Sequence, residues 1–160
     1  MTSIDFSQKF VEMIDVVKKF GDFVANDQIN LTVHKGEVHS LLGENGAGKT
    51  TLVNCLYGLY RPTQGRIRIK GKEVEINDPN VAIQHGIGMV HQHFMLVEPF
   101  TVTQNIILGR ETTKMMGILD LAAAEKKVAE ISERYGLAIN PRDKIEDISV
   151  GSQQRVEILK

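Results

Sequence analysis

The chain has one cysteine, Cys55, in its 160 residues, so no disulfide can form within it. A reducing compartment such as the cytosol suits that composition. Neither sign of charge is in excess: 19 lysines and arginines stand against 20 acidic residues, for a formal net charge of −1. That balance gives no support to nucleic-acid binding through a basic face. No apolar run approaches the roughly 20 residues that a membrane-spanning helix needs. The longest stretch, residues 101–108, is short and interrupted. No signal peptide is present, so membrane association must come through a partner. Internal repeats and low-complexity tracts are also absent. The length suffices for one domain with a real core and leaves room for a small subdomain.

What is present is the run Gly43-Glu44-Asn45-Gly46-Ala47-Gly48-Lys49-Thr50. It matches G-x-x-x-x-G-K-[ST], a loop that wraps phosphate. The glycines let successive backbone N–H groups turn inward toward phosphate oxygens. Lys49 supplies a point charge for the β- and γ-phosphates, and the Thr50 hydroxyl is placed to ligate Mg²⁺. A helix starting here adds its positive end, with Thr51 in its first turn. The flanks supply the context the motif requires. Glu37 to Leu42 reads as a strand, and Leu52, Val53, Leu56, Leu59 and Tyr60 recur at helical spacing. Cys55 lies within that helix and reads as a packing residue.

Elsewhere, Phe10 to Val17 and Ile29 to Val33 read as strands separated by a turn at Gly21-Asp22. Arg66 to Lys70 alternates strictly and turns through Gly71-Lys72 into Val74-Glu75-Ile76, which predicts an antiparallel hairpin. Pro79 to His85 predicts a short helix stopping near Gly86. Gly88-Met89-Val90 reads as a further strand. From Thr101 the pattern turns helical, with Thr101 and Asp120 as N-caps. Leu121, Val128, Ile131 and Tyr135 form an apolar face, and Gly136 is a stop. The Glu125-Lys126-Lys127 and Glu130 cluster reads as a solvated helix face. Pro141 to Glu146 is a polar loop, and Ser152 to Lys160 reads as a helix beginning after Ser149-Val150-Gly151.

Three more matches, in order with the phosphate loop, make the chain resemble the ATP-binding cassette (ABC) family of nucleotide-binding domains. Phe20 stands where that family places an adenine-stacking aromatic. Gln92, within Met89-Val90-His91-Gln92-His93-Phe94, matches the glutamine that touches Mg²⁺ and the attacking water and faces the membrane subunit. Ile148-Ser149-Val150-Gly151-Ser152-Gln153-Gln154-Arg155 resembles the signature L-S-G-G-Q followed by Q-R. Val150 replaces its first glycine and Ser152 its glutamine. The Ser149 hydroxyl, the Gly151 N–H and the helix dipole still suit a γ-phosphate. The Ser-Val-Gly form, Glu44-Asn45 in the loop and the Gly88 to Phe94 run look like the importer branch for simple sugars and nucleosides, with the nucleoside subgroup nearer.

The resemblance implies an α/β P-loop NTPase fold of ABC type. An antiparallel β subdomain and part of a parallel core occupy residues 1–100, a helical subdomain residues 101–150, and the start of the signature helix residues 151–160. It implies ATP and Mg²⁺ as cofactors. Residues 43–51 with Phe20, Gln92, Ser149 and Gly151 would bind nucleotide, Thr50 and Gln92 the metal, and Lys49, Gln92 and Ser149 would serve the reaction. The implied partners are membrane permease subunits, a second cassette whose signature caps this phosphate loop, and indirectly an extracytoplasmic solute-binding protein. No nucleic acid is among them. The implied place is the cytoplasmic face of the membrane.

The family's Walker B strand, ending in Asp-Glu, follows the signature helix, and this sequence stops at Lys160. Met115 to Asp120 is a rival Walker B run, but Gly117 interrupts it, Leu121 stands where the glutamate belongs, and Asp120 suits a helix cap. The expectation is an ATPase in the longer parent, with little turnover and poor solubility for these 160 residues alone. A nucleotide-binding module without turnover, and an ABC-type ATPase of a soluble process such as repair or translation, are the competing readings. His91 and His93 share a strand face, but no third zinc ligand is near in sequence. Phe94, Met95 and Leu96 suit either a permease helix or a buried position.

Overall fold

Apolar and charged residues alternate over the start of the chain, and they form a long strand, β1 (Lys9–Phe20). The structure, a computed structural model, describes residues 8–90, 95–109 and 119–160. Gly21-Asp22 reverses the chain into β2 (Phe23–His34), which pairs antiparallel along β1. On the other side of β1 lies β3 (Gln64–Ile69), and β4 (Lys72–Val74) hairpins onto β3. The sheet order is β2-β1-β3-β4, antiparallel throughout. The predicted strands and hairpin are present here, with β1 and β2 longer than the sequence pattern suggests; the hairpin turns one residue early, at Lys70-Gly71, and its second strand ends at Val74, short of Glu75-Ile76.

A bulge sets which face of β1 is buried. Val11 and Met13 are buried, and a strict period of two would next bury Asp15. Instead Asp15 takes φ 51°, the pairing slips, and Val16 turns inward fully buried. The bulge is clamped from β2. The Asp15 N–H donates to Asn30 Oδ1 at 3.0 Å, and Asn30 Nδ2 donates back to Asp15 Oδ1 at 2.9 Å.

On this face sits α1 (Lys49–Tyr57), which contributes Leu52 and Cys55 to a core with Val11, Met13, Val16, Ile67, Ile69, Ile76 and Ala82. Burying each of the larger side chains stabilises by about 1.5–3 kcal/mol. Burial also pushes the Cys55 thiol pKa up, in keeping with packing rather than chemistry. The helix is shorter than its apolar spacing predicts. Gly58 adopts φ 86° and donates its N–H to Asn54 O, which ends the helix and leaves Leu59 and Tyr60 partly exposed beyond it. Next comes α2 (Pro79–Gln84), capped by Asp78, at the predicted place.

Two expected strands are absent. Residues 37–42 and 88–90 are in no strand, and Val38 and Leu42 are about nine-tenths exposed. A strand exists only through hydrogen bonds to a neighbour, and no described strand lies beside either segment.

The chain divides into two units, Met1–Met89 and Val90–Lys160. The second is helical: α3 (Val102–Ile107), α4 (Leu121–Arg134), a 3₁₀ turn at Ile145–Asp147, and α5 (Val150–Leu159). Thr101 and Gln104 form a reciprocal capping box at the start of α3. Asp120 caps α4, accepting the Ala123 N–H at 3.1 Å. Its core joins Val102, Val128, Ile145 and Val156. The buried stripe of α4 is Ala124, Val128 and Ser132, whereas Leu121 and Tyr135 of the expected face are exposed. The Ser132 hydroxyl accepts the Ile139 N–H at 3.0 Å, so the returning chain covers the Ser132 side of the helix. Of the expected solvated cluster, Lys126, Lys127 and Glu130 are exposed, whereas Glu125 is half-buried and accepts from Arg142 Nε at 2.8 Å. Met95 is exposed, while Leu96 packs on the Val102 core. No helix among the described residues is long and apolar enough to cross a membrane.

Candidate functional site

Residues 43–48 form an irregular, exposed loop that runs directly into α1. Its last residue, Gly48, is the N-cap at φ 82°. A Cβ there would lie 2.4 Å from the Ala25 carbonyl oxygen and 2.6 Å from Asn26 Nδ2. Glycine is therefore required twice over, by backbone conformation and by close approach to β2.

The helix start itself is unusual within this chain. Side chains cap α2 (Asp78), α3 (Thr101), α4 (Asp120) and α5 (Ser149). Among the described α-helices, α1 alone has no side-chain cap, and its first turn holds no acidic residue. The first-turn N–H groups of a helix have no intrahelical acceptor. At α1 the amides of Lys49, Thr50 and Thr51 thus stand at a positive helix end with no internal anion. The Lys49 ammonium folds back over the loop, donating to Gly43 O at 2.6 Å and Glu44 O at 2.7 Å. Two of its three N–H bonds are engaged and one is left for a ligand. Together these groups can hold a polyanion, and phosphates fit the donor set.

Magnesium fits in the way it usually binds beside phosphates. It keeps few protein ligands and takes oxygens from the phosphates and water. Thr50 is exposed in the first turn of α1 and offers one hydroxyl. No cluster of three or more His, Cys, Asp or Glu residues able to hold a metal exists among the described residues.

Phe20 ends β1 and is 43% exposed, not buried in the sheet. Tyr60 meets it edge-on, with ring centroids 5.2 Å apart and planes at 83°. Lys18 Nζ lies 4.9 Å from the Phe20 centroid and donates to Arg61 O at 2.9 Å. An exposed, cation-backed aromatic of this kind offers a surface on which a planar base can stack.

In the helical unit, the exposed Ser149 begins α5 and accepts the Ser152 N–H at 3.3 Å. Ser149 Oγ also pairs with Ser152 Oγ at 3.1 Å. Gly151 is exposed, and a Cβ there would meet only the Ser149 hydroxyl among the described residues, at 4.0 Å. Gln153 Nε2 donates to Ile145 O at 3.1 Å and so ties α5 to the preceding turn. Gln92, with His91, His93 and Phe94, lies outside the described residues.

Sequence reasoning does not single out Asn26, Lys18 or Tyr60. Asn26 lies outside the strand predicted at Ile29 to Val33, and only the longer β2 of the structure places it, buried, beside the glycine-rich loop. Just after β2, Glu37 gathers three donors. The His34 N–H donates at 2.6 Å, and the Nδ1 atoms of His34 and His39 lie 3.1 and 2.9 Å away. These bonds, the backbone one foremost, draw the Glu37 pKa down to about 2.

Known proteins share both the sequence and the fold. The profile of the family described as "ABC transporter" matches residues 26–160. The nucleoside import ATP-binding protein NupA of Lactococcus lactis subsp. cremoris is 61% identical over 154 residues, which is 96% of this chain and 30% of that protein. The guanosine import ATP-binding protein NupO of Bacillus subtilis is 60% identical over 150 residues, 94% of this chain and 29% of that protein. The chain thus spans about three-tenths of the length of these relatives. Among solved structures, a nucleotide-free ATP-binding cassette from an ABC transporter superposes with TM-score 0.79 at 27% identity, covering 94% of this chain and 63% of that one. A cassette in its ADP conformation does so with TM-score 0.79 at 26% identity, covering 95% and 63%.

Proposed function

The chain belongs to the ABC transporter family, and on that premise we propose that residues 43–51 bind the phosphates of ATP in the energy-supplying subunit of an importer. The observation that carries this reading is the N-terminus of α1, which has no side-chain cap, beside a lysine turned over the same loop. The relatives named for nucleoside and guanosine import make a nucleoside the favoured class of cargo. Partners in this reading are a membrane permease, a second cassette and, at one remove, a solute-binding protein. The subunit then works at the cytoplasmic face of the membrane.

In the mechanism, the amides of the α1 first turn and Lys49 hold the phosphate chain and favour its negative charge. Phe20 orients the base by stacking. Thr50, with Gln92, would hold Mg²⁺, which neutralises charge on the β- and γ-oxygens when bound. Ser149 and Gly151 present a hydroxyl and an N–H at a helix start, suited to a γ-phosphate held by the second cassette. Closure of two cassettes around two nucleotides then couples turnover to transport.

Titration with a fluorescent ATP analogue tests the reading. Saturable binding, competed by ATP and ADP but far more weakly by adenosine, is expected. Equal competition by adenosine would show that the phosphates are not held and would overturn it.

A further inference from the structure

We propose that Asn26 is a positioning residue for the phosphate loop, holding the Gly48–Lys49 peptide so that its N–H points at bound phosphate. The inference rests on the nucleotide reading and adds to it a residue outside the loop. Asn26 lies on β2 and is only 5% exposed. Its Nδ2 donates to the Gly48 carbonyl oxygen at 3.1 Å. The same oxygen accepts the Leu52 N–H at 2.9 Å, as the first carbonyl of α1. The carbonyl is therefore gripped from two sides, by the helix and by the neighbouring strand.

A peptide unit is planar and trans, so its C=O and N–H point in opposite directions. Fixing the Gly48 C=O between Asn26 and Leu52 fixes the Lys49 N–H the other way, out of the helix start. That amide is one of the orphan donors facing a ligand. Gly48 cannot itself supply such a restraint, because it has no side chain and no room for one.

The other half of the Asn26 amide points to a role beyond stability. Its Oδ1 is buried and has no hydrogen-bond partner. A buried acceptor left unmet costs stability, whereas an apolar side chain of similar size has no such cost. Aiming a donor, unlike filling space, requires the amide.

Two quantities separate these roles in the full chain: the melting temperature without ligand, and affinity for ATP, ADP and pyrophosphate. Asn26→Leu is expected to keep or raise the melting temperature. Its affinity for all three phosphate ligands is expected to fall by a shared factor of about ten, the loss of one well-aimed donor to a charged group. Asn26→Ala removes the same donor without adding volume and gives the same loss of affinity if leucine proves too bulky to fold. Unchanged affinity in either folded variant overturns the inference. So does a loss of affinity confined to ATP and ADP with pyrophosphate spared, which would trace to the base site. If the unsubstituted chain binds none of the three ligands, the nucleotide reading fails and this inference falls with it.

Discussion

A Cβ on Gly65 would lie 2.4 Å from the carbonyl oxygen of Asp15, so β3 carries a glycine where β1 carries its bulge. Gly65 also sits at φ 91°, where L side chains are strained. Gly65→Ala must therefore move backbone on one strand or the other. A destabilisation of about 2 kcal/mol or more is expected, read as a lower urea midpoint. Gly71→Ala, at φ 77° but with open space around it, should cost only the conformational part, about 1 kcal/mol.

Among the described residues, the Lys49 ammonium bonds to two loop carbonyls and to no core residue, so its removal should barely disturb the core while stripping charge from the proposed phosphate site. Lys49→Ala is expected to weaken ATP binding by roughly ten- to a hundredfold, the range for a hydrogen bond to a charged group. The far-ultraviolet circular dichroism should be unchanged. Full ATP affinity in this variant would remove the lysine from the site.

Glu37 sets an acid-side dependence. Its hydrogen bonds lower its pKa from an ordinary 4.5 to about 2, so the folded form resists protonation more than the unfolded one. The stability it contributes is complete above pH 4.5 and is lost as the pH falls toward 2. Carboxyl NMR should show Glu37 titrating near 2, and Glu37→Gln should flatten the stability profile across that window. A Glu37 resonance titrating near 4.5 would show that the three donors do not hold in solution.

Ser149 has a local task and a proposed remote one, and two substitutions divide them. Ser149→Ala removes the cap of α5 and should cost about 1 kcal/mol of stability. Ser149→Asn restores a capping oxygen and should recover most of that loss. If the hydroxyl also serves a γ-phosphate across a cassette pair, ATP turnover by the intact transporter should stay depressed in both. Recovery of turnover with asparagine would assign Ser149 to capping alone.

Asp120 offers a parallel test of the rival Walker B assignment. Its carboxylate caps α4 through the Ala123 N–H. Asp120→Asn keeps an acceptor there, so stability and Mg²⁺-dependent ATP affinity should both change little. A collapse of Mg²⁺ dependence in that variant would make Asp120 a metal residue instead.

Much was legible in the residues because it is local. The strands of the antiparallel sheet, the caps at Thr101 and Asp120, and the glycine-rich loop before α1 follow from alternation, capping chemistry and backbone freedom. Three things were not local. The bulge at Asp15 depends on Asn30 and Gly65, which are distant in sequence. The buried stripe of α4 depends on where the chain returns at Ile139. The runs at 37–42 and 88–90 have strand-like composition, but a strand is a relation between two segments and no described strand lies beside either.

The sequence by itself determined that this chain carries a G-x-x-x-x-G-K-T run, a signature-like Ser149-Val150-Gly151 and membership of one family, because each is written in contiguous residues. Only the tertiary structure decided that α1 is left uncapped, that Lys49 turns over its own loop, and that Asn26 grips Gly48 from β2. Those facts depend on which backbone groups find partners, and partners across strands and turns are chosen by folding.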